Sequence, residues 1–170
     1  KAGTQAGQEA ILNFLVDEVM ADYGEKKMVF DRTIIDNLVY SLWLYEKGNS
    51  DITEKFLDKT VDLIKNSIKF YSVIFYLPFC KENDFPLVPA PNRDIDPIYR
   101  SEIGHLFEGI YKAWEKGGSR FFDVNDCPAI IPIFGSLADR IAMMGLYIND
   151  KGEFYGENDS LVTDFLQREI

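Results

Sequence analysis

Residues 71–79 read YSVIFYLPF, an almost unbroken apolar run. A strand with one wet face alternates apolar and polar side chains. A run without alternation predicts a strand covered on both faces, the usual state inside a parallel sheet. Pro78 has no amide to donate and ends the ladder there. Two shorter runs share this character, Met28-Val29-Phe30 and residues 129–134, AIIPIF. Pro132 places the last of these at a bulge or at a sheet edge.

Between these runs the apolar spacing changes from continuous to helical. Upstream, a helix is expected over Gln8–Ala21, with rows Ile11, Leu15, Val19 and Leu12, Val16, Met20 forming its apolar face. A second carries Ile35, Leu38, Val39, Leu42 and Tyr45, and Gly48-Asn49 close it. Asp51 and Glu54 resemble a capping pair for a third helix bearing Ile52, Phe56, Leu57, Val61, Ile64 and Ile68. After YSVIFYLPF comes a proline-rich loop to Asn92, then a fourth helix over Pro97–Lys116 with Tyr99, Ile103, Leu106 or Phe107, Ile110 and Trp114 inward. Gly135-Ser136 opens a fifth, with Ser136 as N-cap and Asp139 three residues on. The tail from Tyr147 to Gly156 reads as a hairpin and Ser160–Ile170 as a short helix.

Strands separated by helical crossovers imply an α/β fold, a parallel sheet with helices on both faces. At 170 residues the chain suits one domain with one core. Hydrophobic residues make up 46%, which excludes the disordered class. The net charge of −10 repels nucleic-acid backbones and anionic lipid, so neither bulk nucleic acid nor a membrane is an expected partner. No apolar run reaches membrane-spanning length. Cys80 and Cys127 are far apart and read as free thiols of a reducing cytoplasm. With His105 as the single histidine, neither a His-rich metal site nor a Ser-His-Asp triad is expected.

In open parallel sheets ligands bind beyond the carboxyl ends of the strands. Asp31-Arg32-Thr33 follows the first strand, with Asp36 and Tyr40 one and two helical turns on. A carboxylate there needs a metal, a donor or a cation, or else it caps the next helix. An arginine there can grip phosphate or carboxylate through two bonds, or simply be solvated. After the second strand, Arg93 and Arg100 bracket a helix start. That segment, about residues 85–100, is either a lid over a polyphosphate or a surface loop whose arginines pair with Asp94 and Asp96. After the third strand, Gly135 would let a flat ring approach the backbone and Arg140 would stack on it, or the segment is a plain turn.

Together these segments resemble the P-loop nucleoside and nucleotide kinases, especially the nicotinamide-riboside-kinase and thymidylate-kinase-like type. The matching patterns are D-R-x-x-x-D-x-x-x-Y at Asp31, Arg32, Asp36 and Tyr40, then R-x-x-D-x-x-x-R at Arg93, Asp96 and Arg100. G-S-x-x-x-R at Gly135, Ser136 and Arg140 and T-x-x-x-Q-x-x-I at Thr4, Gln8 and Ile11 complete them. The resemblance spans about Thr4 to Tyr147. It implies an ATP-dependent phosphotransferase acting on a nucleoside, nucleotide or related small acceptor, with ATP and Mg²⁺ as cofactors. By that resemblance Asp31 holds Mg²⁺ or acts as base, and Arg32, with Asp36 and Tyr40, binds the acceptor. Arg93 and Arg100 would neutralise the transferring phosphoryl group, and Gly135, Ser136 and Arg140 would lie near the adenine.

The sequence departs from the family in having no G-x-x-x-x-G-K-[ST] loop. Gly3 and Gly7 have the wrong spacing and lack the lysine, and Gly117-Gly118 follows a helix. A start at Lys1 fits a missing first strand and loop, and these residues alone are expected to transfer little phosphate. Two alternatives remain: a non-catalytic interaction module anchored by aromatics such as Trp43, Tyr45 and Trp114, or an ATPase switch.

Overall fold

The structure is a computed structural model that describes residues 3–21, 28–48, 50–80, 83, 96–115 and 127–154, with the side chains of 114 and 115 excepted. Its elements run α1 (Gln5–Ala21), α2 (Ile34–Lys47), α3 (Glu54–Ser67), β1 (Val73–Tyr76), α4 (Pro97–Glu115), β2 (Ala129–Pro132) and α5 (Leu137–Met144). A 3₁₀ turn, Ile68–Phe70, joins α3 to β1. This is a mixed helix and strand chain with a small parallel sheet.

α2 is the centre of the helical layer and packs on α1, α3 and α4. Its sequence explains why. Ile34, Ile35, Leu38 and Val39 are all essentially solvent-free, and each such side chain contributes about 1.5–3 kcal/mol by burial. Thr33 starts the helix and Gly48 stops it, at φ 64°, where a side chain would be strained. α3 buries Phe56, Leu57, Val61 and Ile64 on one stripe, and Ile52 and Ile68 flank it in the core.

α1 begins one turn earlier than the apolar spacing predicts, and its buried line is Gln8, Leu12, Val16 and Val19. Ile11 and Met20, expected inward, are exposed. The reason is a polar contact that hydrophobic spacing cannot register. Asn37 of α2 donates to both the Gln8 carbonyl and its side-chain oxygen, each at 2.9 Å, which turns the Gln8 line of α1 toward α2. The third helix is capped by Thr53, whose hydroxyl accepts the Phe56 amide at 3.2 Å, and not by Asp51. Asp51 instead accepts the Gln5 amide at 2.7 Å and caps α1 from a distance.

The strand runs are shorter than their apolar lengths. β1 covers four residues of the nine-residue run, and β2 four of six. They pair in parallel, Val73 beside Ala129 through Tyr76 beside Pro132. The Ala129 amide reaches the Ser72 carbonyl at 3.2 Å and the Ile133 amide reaches that of Tyr76 at 2.8 Å. Backbone groups alternate sides along a strand, so Pro132 faces away from β1 and its missing amide costs no ladder bond. Of the bulge or sheet edge expected there, the described residues show an edge. Met28-Val29-Phe30 is corrected: it forms no strand and pairs with none among the described residues, and Val29 is 91% exposed.

α4 turns Ile103, Ile110 and Tyr111 into the core, with Tyr99, Leu106 and Phe107 packed beside them. Glu102 ties α4 to α2, accepting the Trp43 indole at 2.8 Å and the Lys47 ammonium at 2.6 Å. Ser136 and Asp139 form the reciprocal cap of α5 that their spacing predicts. An antiparallel bridge between Ile148 and Phe154 agrees with the expected hairpin. The helix expected over Ser160–Ile170 lies outside the described residues. No helix among the described residues is long and apolar enough to cross a membrane.

Candidate functional site

A groove of about 1210 Å³ runs along β1. One wall is residues 69–77, including all of β1; the other is residues 28–33. Phe107 and Tyr111 of α4, and Ile133, Met144, Ile148 and Phe154 beyond β2, complete it.

Asp31, Arg32, Thr33 and Asp36 all line this groove, because the chain bends at Asp31 and Arg32 just before α2. Arg32 takes φ 91°, the only non-glycine residue among the described ones at positive φ. A backbone held there costs about 1–3 kcal/mol and persists only where surroundings enforce it. The enforcing contacts are visible. Arg32 donates to the Tyr40 hydroxyl at 3.1 Å, lies 5.6 Å from the Tyr40 ring centre, and approaches the Asp36 carboxylate at 3.8 Å. The Tyr40 bond, more than the two nearby aspartates, holds the guanidinium more firmly protonated than usual. More than half of the Arg32 side chain still faces solvent, so it remains able to take an anion.

Asp36 sits deeper. Burial pushes its carboxyl above the ordinary range, against the opposing pull of the Thr33 amide and hydroxyl bonds and of Arg32. Three tyrosines enter the same floor from other elements. Burial raises Tyr71 and Tyr76 to about 12 and raises Tyr111 also, with the Asp36 charge adding to Tyr71 and Tyr111. They therefore stay neutral at any working pH. The buried hydroxyls of Tyr71 and Tyr76 have no hydrogen-bond partner of good geometry; Tyr71 lies near the Ile34 amide without properly accepting it. The tyrosines, Thr33 and Lys69 were not singled out in the sequence. They come from separate elements, and no local motif joins them.

The remaining expected site residues among the described ones do not line the groove. Tyr40 supports Arg32 from behind but does not line the groove itself. Asp96 caps α4 by accepting the Ile98 amide at 2.9 Å, and Arg100, on the first turn, lies 5.3 Å over the Phe79 ring. Arg93 and most of the expected lid lie outside the described residues. Gly135, at φ 85°, is needed where it stands, since a Cβ would fall 2.8 Å from an Asp139 carboxylate oxygen. Ser136 caps α5, and Arg140 donates to the Gly135 carbonyl at 2.9 Å. Asn83 organises this turn: it accepts the Gly135 amide at 3.1 Å and donates to the Pro78 and Ile133 carbonyls at 3.0 and 3.1 Å. A lone asparagine in a proline-rich loop carries no sequence signal for that role. None of Arg100, Gly135, Ser136 and Arg140 is among the residues lining the groove.

Comparison with family models, with curated proteins and with solved structures gives no match. The site therefore stands on its own chemistry. Among the described residues no three His, Cys, Asp or Glu side chains lie close enough to form a metal cage. Asp31 offers one exposed carboxylate, which suffices for magnesium only where phosphate oxygens and water fill the other positions. What the groove offers is an aromatic floor with neutral hydroxyls, one buried carboxyl and one preset arginine.

Proposed function

We propose that the protein is an ATP-dependent phosphotransferase of the P-loop kinase type, and that these residues form the acceptor side of its site. One observation supports this reading above others: Asp31, Arg32 and Asp36, adjacent in sequence and expected to act together, all face one groove beside a parallel strand. A preset arginine binds an acceptor's phosphate or hydroxyls without first losing side-chain freedom. Asp31 would contribute one carboxylate toward Mg²⁺ or take the acceptor's proton. Bound Mg-ATP would supply the phosphoryl group and charge neutralisation. Arg93 and Arg100 belong to the same proposal as cations toward that group, and Gly135, Ser136 and Arg140 as neighbours of the adenine.

The test is ADP release by the protein at its natural length, with ATP, magnesium and a panel of nucleosides and nucleotides. Acceptor-dependent release is the expected result. Hydrolysis that ignores the acceptor would favour an ATPase switch, and no ATP binding at all would remove both. A binding module is favoured by one observation, the row Leu137, Ile141 and Leu146 on and after α5, exposed at 73%, 60% and 72%. Trp43, proposed as an anchor for it, is instead held by Glu102 and by the Tyr99 ring at 4.9 Å.

A further inference from the structure

We infer that the groove is a β-strand addition site, taking an extended apolar peptide segment with an acidic residue at the end that passes Lys69. The inference does not depend on phosphotransfer. Among the described residues β1 is hydrogen-bonded on one side only, to β2. Ser72 and Tyr76 direct their carbonyls toward β2. Backbone groups alternate along a strand, so Val73 and Phe75 direct their amides and carbonyls the other way, into the groove. No strand among the described residues meets that edge. Met28, Val29 and Phe30 line the opposite wall, so a guest strand would have backbone on one side and apolar side chains on the other. β1 itself, Val73–Tyr76, carries none of the charged side chains that usually protect an edge, and such an edge is a template for pairing.

The charge preference follows from the lining. Arg32, Lys69 and Lys151 stand against Asp31 and Asp36, one cation in excess, in a chain whose net charge is −10. This groove is thus locally positive on an acidic protein, and an acidic flank on the guest complements it.

The experiment uses a fluorescein-labelled hexapeptide of alternating valine and threonine with one added terminal glutamate, titrated with the protein and read by anisotropy. Two N-methylated forms block alternate sets of its amides. Strand addition predicts saturable binding, a loss of about tenfold or more for one methylated set, and less than about twofold for the other. Phe75→Pro, which removes a groove-facing amide and no β1–β2 bond, should lose binding as the first set does. No saturation by about 1 mM, or equal effects of the two methylated sets, would overturn the inference. The methylated peptides keep it testable even if the proline variant misfolds, because they leave the protein untouched.

Discussion

The Asp36 carboxylate accepts both the Thr33 amide, at 2.9 Å, and the Thr33 hydroxyl, at 3.1 Å, while the same hydroxyl accepts the Ile35 amide at 3.2 Å. One residue pair thus starts the most buried helix and forms part of the groove wall. Thr33→Ala removes one half of the cap and should cost about 1 kcal/mol, read as a lower urea midpoint with unchanged slope.

Asp36→Asn keeps an oxygen for the Thr33 amide but removes the charge that burial disfavours. The folded carboxyl titrates above its ordinary value of 3.8, so the native state binds more protons than the unfolded chain as pH rises past that value. Wild-type stability from this group is complete below 3.8 and falls as pH climbs through the raised folded value. The variant's stability relative to wild type should therefore grow from about pH 3 upward and level off. Urea unfolding across that range checks it; a difference independent of pH would mean the carboxyl is not buried as described.

The tyrosines have the same sign at the other end of the scale. Tyr71 and Tyr76 ionise near 12 when folded and near 10 when unfolded, so stability is intact below 10 and drains away as pH rises through 12. Tyrosinate absorbance should show these groups titrating late, or only on unfolding. Tyr71→Phe removes a buried hydroxyl with no good partner, so it should cost nothing at neutral pH and blunt the alkaline loss. A clear loss of stability at neutral pH would show that the hydroxyl has a partner.

Parts of this arrangement are legible in the residues and parts are not, for physical reasons. α2, α3 and the cap of α5 are written locally, in apolar spacing, Gly48 and the Ser136–Asp139 pair. Asp31, Arg32 and Asp36 share a groove because one bend holds them, and a bend is a local matter. Met28-Val29-Phe30 has strand composition, yet pairing depends on a partner that composition does not supply. The Gln8–Asn37 contact, the reach of Asp51 to α1 and the approach of Tyr71 and Tyr111 to Asp36 join residues far apart in the chain. Only the packed chain brings them together.

Gly104 sets two effects against each other. Alanine gains about 1 kcal/mol over glycine inside a helix. Yet a Cβ at Gly104 would lie 2.5 Å from the Phe79 Cβ, an atom fixed to the backbone of the loop after β1. Overpacking of that kind costs about 1–3 kcal/mol, so Gly104→Ala should be net destabilising. Phe79→Ala leaves the clashing Cβ in place and should not rescue it, whereas Phe79→Gly should. Calorimetric melting of the four proteins decides between them.

Arg32→Gly separates a structural role from a binding role. Glycine relieves the positive φ, a gain of about 1 kcal/mol, and forfeits the Tyr40 bond, whose solvent exposure reduces its contribution to about 1 kcal/mol. Stability should therefore stay within about 1 kcal/mol of wild type. If Arg32 is strained in order to face the groove, acceptor affinity should fall by about tenfold to a hundredfold, since a charge-assisted bond contributes roughly 1.5–3 kcal/mol. Arg32→Lys keeps the charge but loses the planar fork and retains the strain, so it should be both less stable than Arg32→Gly and weaker than wild type in binding. An Arg32→Gly protein that binds acceptor as wild type does would leave the strain without a function and remove this arginine from the site.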